Sequence, residues 1–166
     1  MDDYRYVSEV VMPDTPIVSS LRRAEPGFAW ERVARLPYKE GDAAPFKAIS
    51  RQTLFSDPRL KGELRYFEIE PGGFSTLERH EHMHAVVILR GEGHCLIGDL
   101  VYALRPCDLI TIDPWTWHQF RAGQGEVLGF LCLVDRDRDK PQLPSAADLA
   151  GLRARPEVAR FLDGSL

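Results

Sequence analysis

Leu77-Glu-Arg-His-Glu-His-Met-His-Ala-Val-Val-Ile-Leu-Arg-Gly91 is the stretch on which the reading of this chain turns. It holds three of the five histidines, at alternate positions 80, 82 and 84, and runs straight into an apolar segment. A lone histidine is most often structural or merely at the surface. Imidazole is also the commonest neutral metal ligand, and a divalent ion needs several such groups converging from neighbouring strands. Three histidines packed this closely predict a metal site. A further histidine, His118, stands apart in Pro114-Trp-Thr-Trp-His-Gln-Phe120.

On either side of this stretch, short runs rich in Leu, Ile, Val, Tyr and Phe alternate with Gly, Pro and Asp. Leu64–Ile69 precedes Pro71-Gly72-Gly73, Ala85–Leu89 precedes Gly91-Glu92-Gly93, and Cys95–Ile97 precedes Gly98-Asp99. Leu109–Ile112 before Asp113-Pro114 and Val127–Val134 before Asp135 continue the series. Short β-prone runs with closely spaced turn signals predict an all-β sandwich or barrel. Residues 1–45 read as an irregular arm with one or two strands, about 46–135 as the barrel, and 136–166 as a helical tail. Within the tail, Asp135–Lys140 alternates charges, and Pro141 and Pro144 stop any strand. Ser145 caps a short helix, and a second helical turn, Glu157–Leu162, follows Pro156. One domain accounts for all 166 residues.

Composition narrows the function classes. A 44% hydrophobic and 28% charged chain is globular, and a net charge of −4 argues against general nucleic-acid binding, which needs a basic face. A few local Arg or Lys still allow a small anionic substrate. The acidic, polar start MDDYRYVSEV lacks the features of a signal peptide. The longest central aliphatic run, Ala85–Leu89, is far short of a membrane span. Cys95, Cys107 and Cys132 are an odd number without a CxxC pair, which predicts a reduced, cytoplasmic protein with no membrane or nucleic-acid partner.

The chain resembles the cupin superfamily. The family's first motif runs Gly, a gap, His-x-His, three or four residues, Glu, six residues, Gly; its second runs Gly-Asp, an apolar strand, Pro, a short turn, His. Pro71-Gly72-Gly73 opens the first motif here and Gly91 closes it. Counting back from Gly91 puts His84 at the motif's Glu, His80 at its second His and Glu78 at its first. Asp108, Pro114 and His118 match the second motif, while Cys107 replaces its Gly and the usual Asn after the last His is absent. The resemblance implies a double-stranded β-helix, or jelly-roll barrel, with short C-terminal helices.

Hairpin geometry supports counting from Gly91. If His80 and His82 were the pair and His84 the next ligand, only Met83 would reverse the chain, and hairpin loops need at least two residues. With His80 and His84 as ligands, Glu81-His82-Met83 forms a three-residue turn and the two imidazoles face each other across the ladder. Glu78 then shares the face of His80. His82 sits at the turn tip and ranks last among the ligands Glu78, His80, His84, His118 and His82. Three imidazoles and a carboxylate leave positions open on an octahedral ion, which suits Mn²⁺, Fe²⁺ or Ni²⁺ better than a closed structural Zn²⁺.

The run from Leu77 to Gly91, with Trp117-His118-Gln119-Phe120-Arg121 and Phe130-Leu-Cys-Leu-Val-Asp135, is also similar to a group of single-domain bacterial cupins. That group includes the 1-methylthio-xylulose 5-phosphate methylsulfurylases of the methylthioadenosine salvage route that uses a RubisCO-like protein. The similarity implies Mn²⁺ as the preferred ion, with Fe, Ni or Zn as alternatives, and an external thiol such as glutathione as co-substrate. Breaking a C–S bond beside a ketone without a redox cofactor needs a metal to chelate the ketone and adjacent hydroxyl. It also needs a thiolate to attack the substrate sulfur, giving a methyl disulfide that the external thiol resolves. Cys95 is the first candidate for that thiol, since its strand returns past the metal, whereas Cys132 reads as core and Cys107 as an exposed turn residue. Gln119 beside His118, and Tyr66 or Glu68 on the preceding strand, are candidates for lining the site, Tyr66 as a proton shuttle. For a phosphate, Lys47, Arg51, Arg65, Arg79, Arg90 and Arg121 are all candidates and none is singled out. An Fe²⁺ dioxygenase, a sugar or keto-acid isomerase, and a non-catalytic metal- or ligand-binding module are the alternatives. The family's habit of pairing through N-terminal strands implies a homodimer.

Overall fold

The computed structural model describes residues 21–39 and 45–166. Among the described residues of the arm are three two-residue strands: β1 (Ala24–Glu25), β2 (Ala29–Trp30) and β3 (Leu36–Pro37). The barrel strands are β4 (Lys47–Phe55), β5 (Gly62–Phe74), β6 (His84–Gly91), β7 (Gly93–Ile97), β8 (Leu100–Leu104), β9 (Leu109–Ile112), β10 (His118–Ala122) and β11 (Leu128–Asp135). Helices α1 (Ala146–Arg153) and α2 (Pro156–Asp163) end the chain. The barrel is one curled sheet in the order β8-β7-β10-β5-β11-β6-β9, with β4 also on β5, β3 on β4, and β1-β2 as a separate ribbon. Non-sequential neighbours and antiparallel pairing throughout make it a jelly roll.

Two expectations are corrected. Pro71-Gly72-Gly73 is not a turn between strands: β5 runs through it, pairing with β11 at its start and with β10 at Phe74. Gly72 adopts φ 68°, and a Cβ on Gly73 would lie 2.6 Å from the Lys47 carbonyl oxygen. The glycines thus bend one strand around the barrel wall rather than ending it. Nor do His80 and His84 face each other across a hairpin ladder. β6 begins at His84 and pairs with β9 and β11, while residues 75–83 make only isolated bridges, Glu78 to His118 and Arg79 to Gln142. The short run before Gly98-Asp99 does form a hairpin, β7 with β8, closed by those two residues.

Alternation along the strands sorts the side chains. Val86, Ile88, Cys95, Phe120, Phe130, Cys132 and Val134 share the interior cluster with Phe67 and Ile69, and Phe120–Phe130–Phe67 forms a ring stack through it. The helices cover the other face of β7, where Leu152, Val158 and Phe161 pack on Leu77 and Leu96. Ser145 caps α1 in a reciprocal capping box with Asp148; Pro156 opens α2 and Gly164, at φ 71°, closes it.

Candidate metal centre

Three imidazoles meet at one end of the barrel interior. His84 and His118 are the first residues of β6 and β10, each on the inward side of its strand. His80 arrives from the loop before β6, pinned where its carbonyl accepts the Trp115 N–H at 2.7 Å. The ring centroids stand 4.7 Å apart for His80–His84, 4.8 Å for His80–His118 and 5.3 Å for His84–His118.

Their hydrogen bonds fix which nitrogen faces inward. His80 Nδ1 lies 2.8 Å from the His82 carbonyl and His118 Nδ1 lies 2.9 Å from the Thr116 carbonyl. A carbonyl only accepts, so both Nδ1 atoms carry hydrogen and both Nε2 atoms present lone pairs. His84 Nδ1 lies 3.1 Å from Cys132 Sγ, and its Nε2 lies 2.9 Å from His80 Nε2. Burial holds all three rings neutral. It is the first cause lowering His80 to about 3, ahead of its His118 and His82 neighbours. It also depresses His84 strongly and outweighs the pull of Glu78 on His118. The Cys132 sulfur can give or accept, so His84 Nε2 either donates to His80 Nε2 in the ion-free site or, with its proton on Nδ1, turns a lone pair inward to an ion. Two nitrogens bound at a right angle, each ~2.1 Å from one ion, lie ~3.0 Å apart. The donor set and its spacing fit a divalent ion, and outer acceptors on each Nδ1 are what metal-binding imidazoles require.

Glu78 is adjacent but differently engaged. Its backbone exchanges hydrogen bonds of 3.2 and 3.0 Å with His118. Its buried carboxylate pairs with Lys39 Nζ and stays outside the group that His80, His84 and His118 form. His82 does not project from a turn tip. Its ring stacks on His80 at 3.5 Å and 3°, and its Nδ1 lies 2.5 Å from Asp139 Oδ1. Asp139 also accepts the backbone N–H groups of Glu81 and His82, at 2.8 and 3.1 Å. Burial pushes the Asp139 carboxyl up, but those donors outweigh it and hold it at about 2. His80, His82 and Asp139 thereby form a second, overlapping set of ligating groups.

Charge alternation in Asp135–Lys140 has a structural counterpart. Asp135, Asp137 and Asp139 line an open cavity of roughly 710 Å³ that reaches His82 and His84. Arg136 and Arg138 turn back onto the protein, to the Asp57 carbonyl at 3.0 Å and to Glu63 at 3.1 Å.

The other expected site residues are not brought to the imidazoles. Cys95 faces inward one layer deeper, paired with Phe120; it is fully buried and its thiol contacts the Leu96 carbonyl at 3.4 Å. Burial alone pushes that thiol well up. Cys132, expected to be core, is the cysteine in contact with an imidazole, and the Arg65 guanidinium stands 3.9 Å from its sulfur. Burial raises this thiol overall, and Arg65 pulls it only part of the way back. Gln119, next to His118 on a strand, points the opposite way and donates to the Ser75 carbonyl at 2.7 Å. Tyr66 lies on the outer face of β5 beneath Phe28 and Trp30, its hydroxyl 2.7 Å from Glu68. Cys107 is exposed, as expected, at φ 74°.

Two residues of the arm take part without any signal in their own segment. Tyr38 packs edge-on against Phe46 and Phe67, its hydroxyl pushed well above the usual tyrosine value by burial and then by Glu78. Lys39 beside it reaches Glu78. Nothing local in Leu36-Pro-Tyr-Lys39 points to this, because the partners Phe46, Phe67 and Glu78 all lie outside that segment.

Residues 65–134 match the cupin domain family. A curated relative, the 1-methylthio-D-xylulose 5-phosphate methylsulfurylase of Rhodospirillum rubrum, is 59% identical over 137 residues, 82% of this chain and 88% of that protein. The crystal structure of a cupin 2 conserved barrel domain protein from Rhodopseudomonas palustris is similar with a TM-score of 0.80 and 55% identity, over 86% of this chain and 98% of the other. That of a cupin-2 domain protein from Rhodospirillum rubrum follows at 0.76 and 56%, over 93% and 99%. No helix among the described residues is long and apolar enough to cross a membrane.

Proposed function

The chain belongs to the cupin family, and from that premise we propose that it is a metal-dependent enzyme of methylthio-sugar phosphate cleavage. The substrate is 1-methylthio-xylulose 5-phosphate, the product 1-deoxyxylulose 5-phosphate, and an external thiol such as glutathione the co-substrate. The activity of the Rhodospirillum rubrum relative supports this reading. So does one observation within the site: a cysteine sulfur 3.1 Å from an imidazole of the cluster, on an inward strand position.

A divalent ion, Mn²⁺ by preference, would be held by His80, His84 and His118, and when bound it supplies Lewis acidity toward the substrate's ketone and hydroxyl oxygens. The protein's own part is the sulfur chemistry. The Cys132 thiol gives up its proton, the Arg65 guanidinium favouring the thiolate, and the sulfur attacks the methylthio sulfur while that proton is the one returned to C1. A Cys132–S–S–CH₃ bond forms, the C1–S bond breaks, and its electron pair remains on C1, which takes up a proton. Glutathione then attacks the methyl disulfide and returns Cys132 as thiol. Apolar walls from Phe67, Phe120 and Phe130 close the space beyond the imidazoles to water. We extend the same proposal to a cytoplasmic, single-domain homodimer.

The test is direct. Protein loaded with Mn²⁺ is given the thio-sugar phosphate and glutathione, and 1-deoxyxylulose 5-phosphate with a glutathione methyl disulfide or methanethiol is expected. Withholding glutathione should trap one methylthio group on Cys132 by mass. Oxygen uptake with a substrate would point to a dioxygenase, and absence of turnover across substrates to a binding module; either result sinks the reading.

A further inference from the structure

Glu78 stands where a fourth ligand is expected, yet a cation from the arm already holds it. Its backbone is locked to His118, its side chain is 9% exposed, and its carboxylate meets Lys39 Nζ. Lys39 is delivered by fixed structure. β3 pairs Leu36 with Arg51 and Pro37 with Ser50, and Tyr38 is seated against Phe46 and Phe67 at 5.4 and 5.8 Å. A carboxylate leaving this pair for an ion would strand an ammonium that is itself three-quarters buried, at 25% exposed. The three imidazoles converge without the carboxylate.

We propose that Lys39 is a positioning residue that keeps the Glu78 carboxylate out of the coordination sphere, so that the ion is held by three imidazoles alone. An octahedral ion bound on one face by His80, His84 and His118 keeps three adjacent positions open. A ketone and a neighbouring hydroxyl need two of them, and a substrate with a further donor could take the third. With Glu78 as a ligand, one of those positions closes. Lys39 thereby sets how many substrate oxygens the site accepts. The inference rests on the metal-dependent reading above and goes further only in who surrounds the ion.

Mn²⁺ binding by the full chain decides it, followed by electron paramagnetic resonance, with water-proton relaxation counting the exchangeable waters on bound Mn²⁺. Glu78→Gln should hold Mn²⁺ within about threefold of the wild type, with the same water count, since a ligand would cost far more. Lys39→Met should free the carboxylate to join the ion: affinity rises on the order of tenfold and one water is lost. Lys39→Met/Glu78→Gln should revert to the wild-type affinity and water count, and Lys39→Arg should behave as wild type. A merely structural lysine would alter stability without changing the water count. If Glu78→Gln loosens the ion tenfold or more and removes a ligand, the carboxylate coordinates and this inference is wrong while the metal reading stands. That outcome can be read whether or not any Lys39 variant folds. If the wild type binds no Mn²⁺, both fall together.

Discussion

Two buried polar clusters sit on opposite faces of the same barrel wall, and they are built on opposite principles. Outside, Glu68 accepts from the Tyr66 hydroxyl at 2.7 Å and Arg90 at 2.7 Å, with Arg35 at 3.8 Å, while Arg90 and Tyr66 both rest on Phe28. Glu68 Oε2 takes both close donors and Oε1 faces the Arg35 guanidinium as an ion pair. Inside, three neutral imidazoles turn their Nε2 atoms toward one another, His84 and His80 at 2.9 Å, and each is held from behind at Nδ1. A buried cluster whose charges are paired within the protein fastens one part of it to another, here the arm to β5. A cluster completed only by something brought from outside is a site.

Perturbing each cluster in turn should separate these roles. Acid acts most broadly. In the metal-free protein the imidazole pKa values are depressed, so the unfolded chain binds protons first as pH falls. The stability they contribute is fully present above about 6.5 and drains as pH drops toward about 3, the value for His80. Urea denaturation across that window should show the slope, and bound Mn²⁺ should shift it to lower pH; a flat profile would break the distinction. Cys132→Ala should lower turnover on the order of 10³-fold even with the ion kept saturating, and it should weaken ion affinity only about tenfold through the lost partner of His84. His84→Ala should weaken the ion ~100-fold or more, and full occupancy would remove it from the ligand set. Glu68→Gln is the mirror experiment, costing roughly 3 kcal/mol in denaturant unfolding with the ion content unchanged. Cys95→Ala should have the smallest effect, about 1 kcal/mol from lost packing, with turnover intact.

The barrel was legible because strand periodicity and turn residues are local properties, and so was the convergence of His80, His84 and His118, which hangs on spacing to Gly91 and Pro114. Expecting Gln119 to line the site was a miss that local reasoning could have avoided, since consecutive strand residues face opposite ways and His118 claims the inside. Choosing Cys132 over Cys95 was not. Both lie in apolar runs, and only the register pairing Val134 with His84 and Cys132 with Val86 sets one sulfur beside the ring. That register is shared between strands some 50 residues apart and is written in neither alone. Lys39 and Asp139 were hidden for the same reason: each closes on the histidine segment from a different end of the chain.

The braces behind the imidazoles differ in kind. Two are backbone carbonyls, which keep the same chemistry for the life of the protein, and the third is a thiol. If Cys132 carries a methylthio group in mid-reaction, the sulfur behind His84 changes from a thiol or thiolate that can exchange a proton with the ring to a disulfide sulfur, a poor acceptor with no proton to give. Ion and thiol then become linked variables: blocking the sulfur loosens the ion, and by reciprocity a bound ion changes the sulfur's readiness to be blocked by the same factor. A protein starved of reducing thiol would shed metal as a consequence, so its metal content would register the reducing power around it.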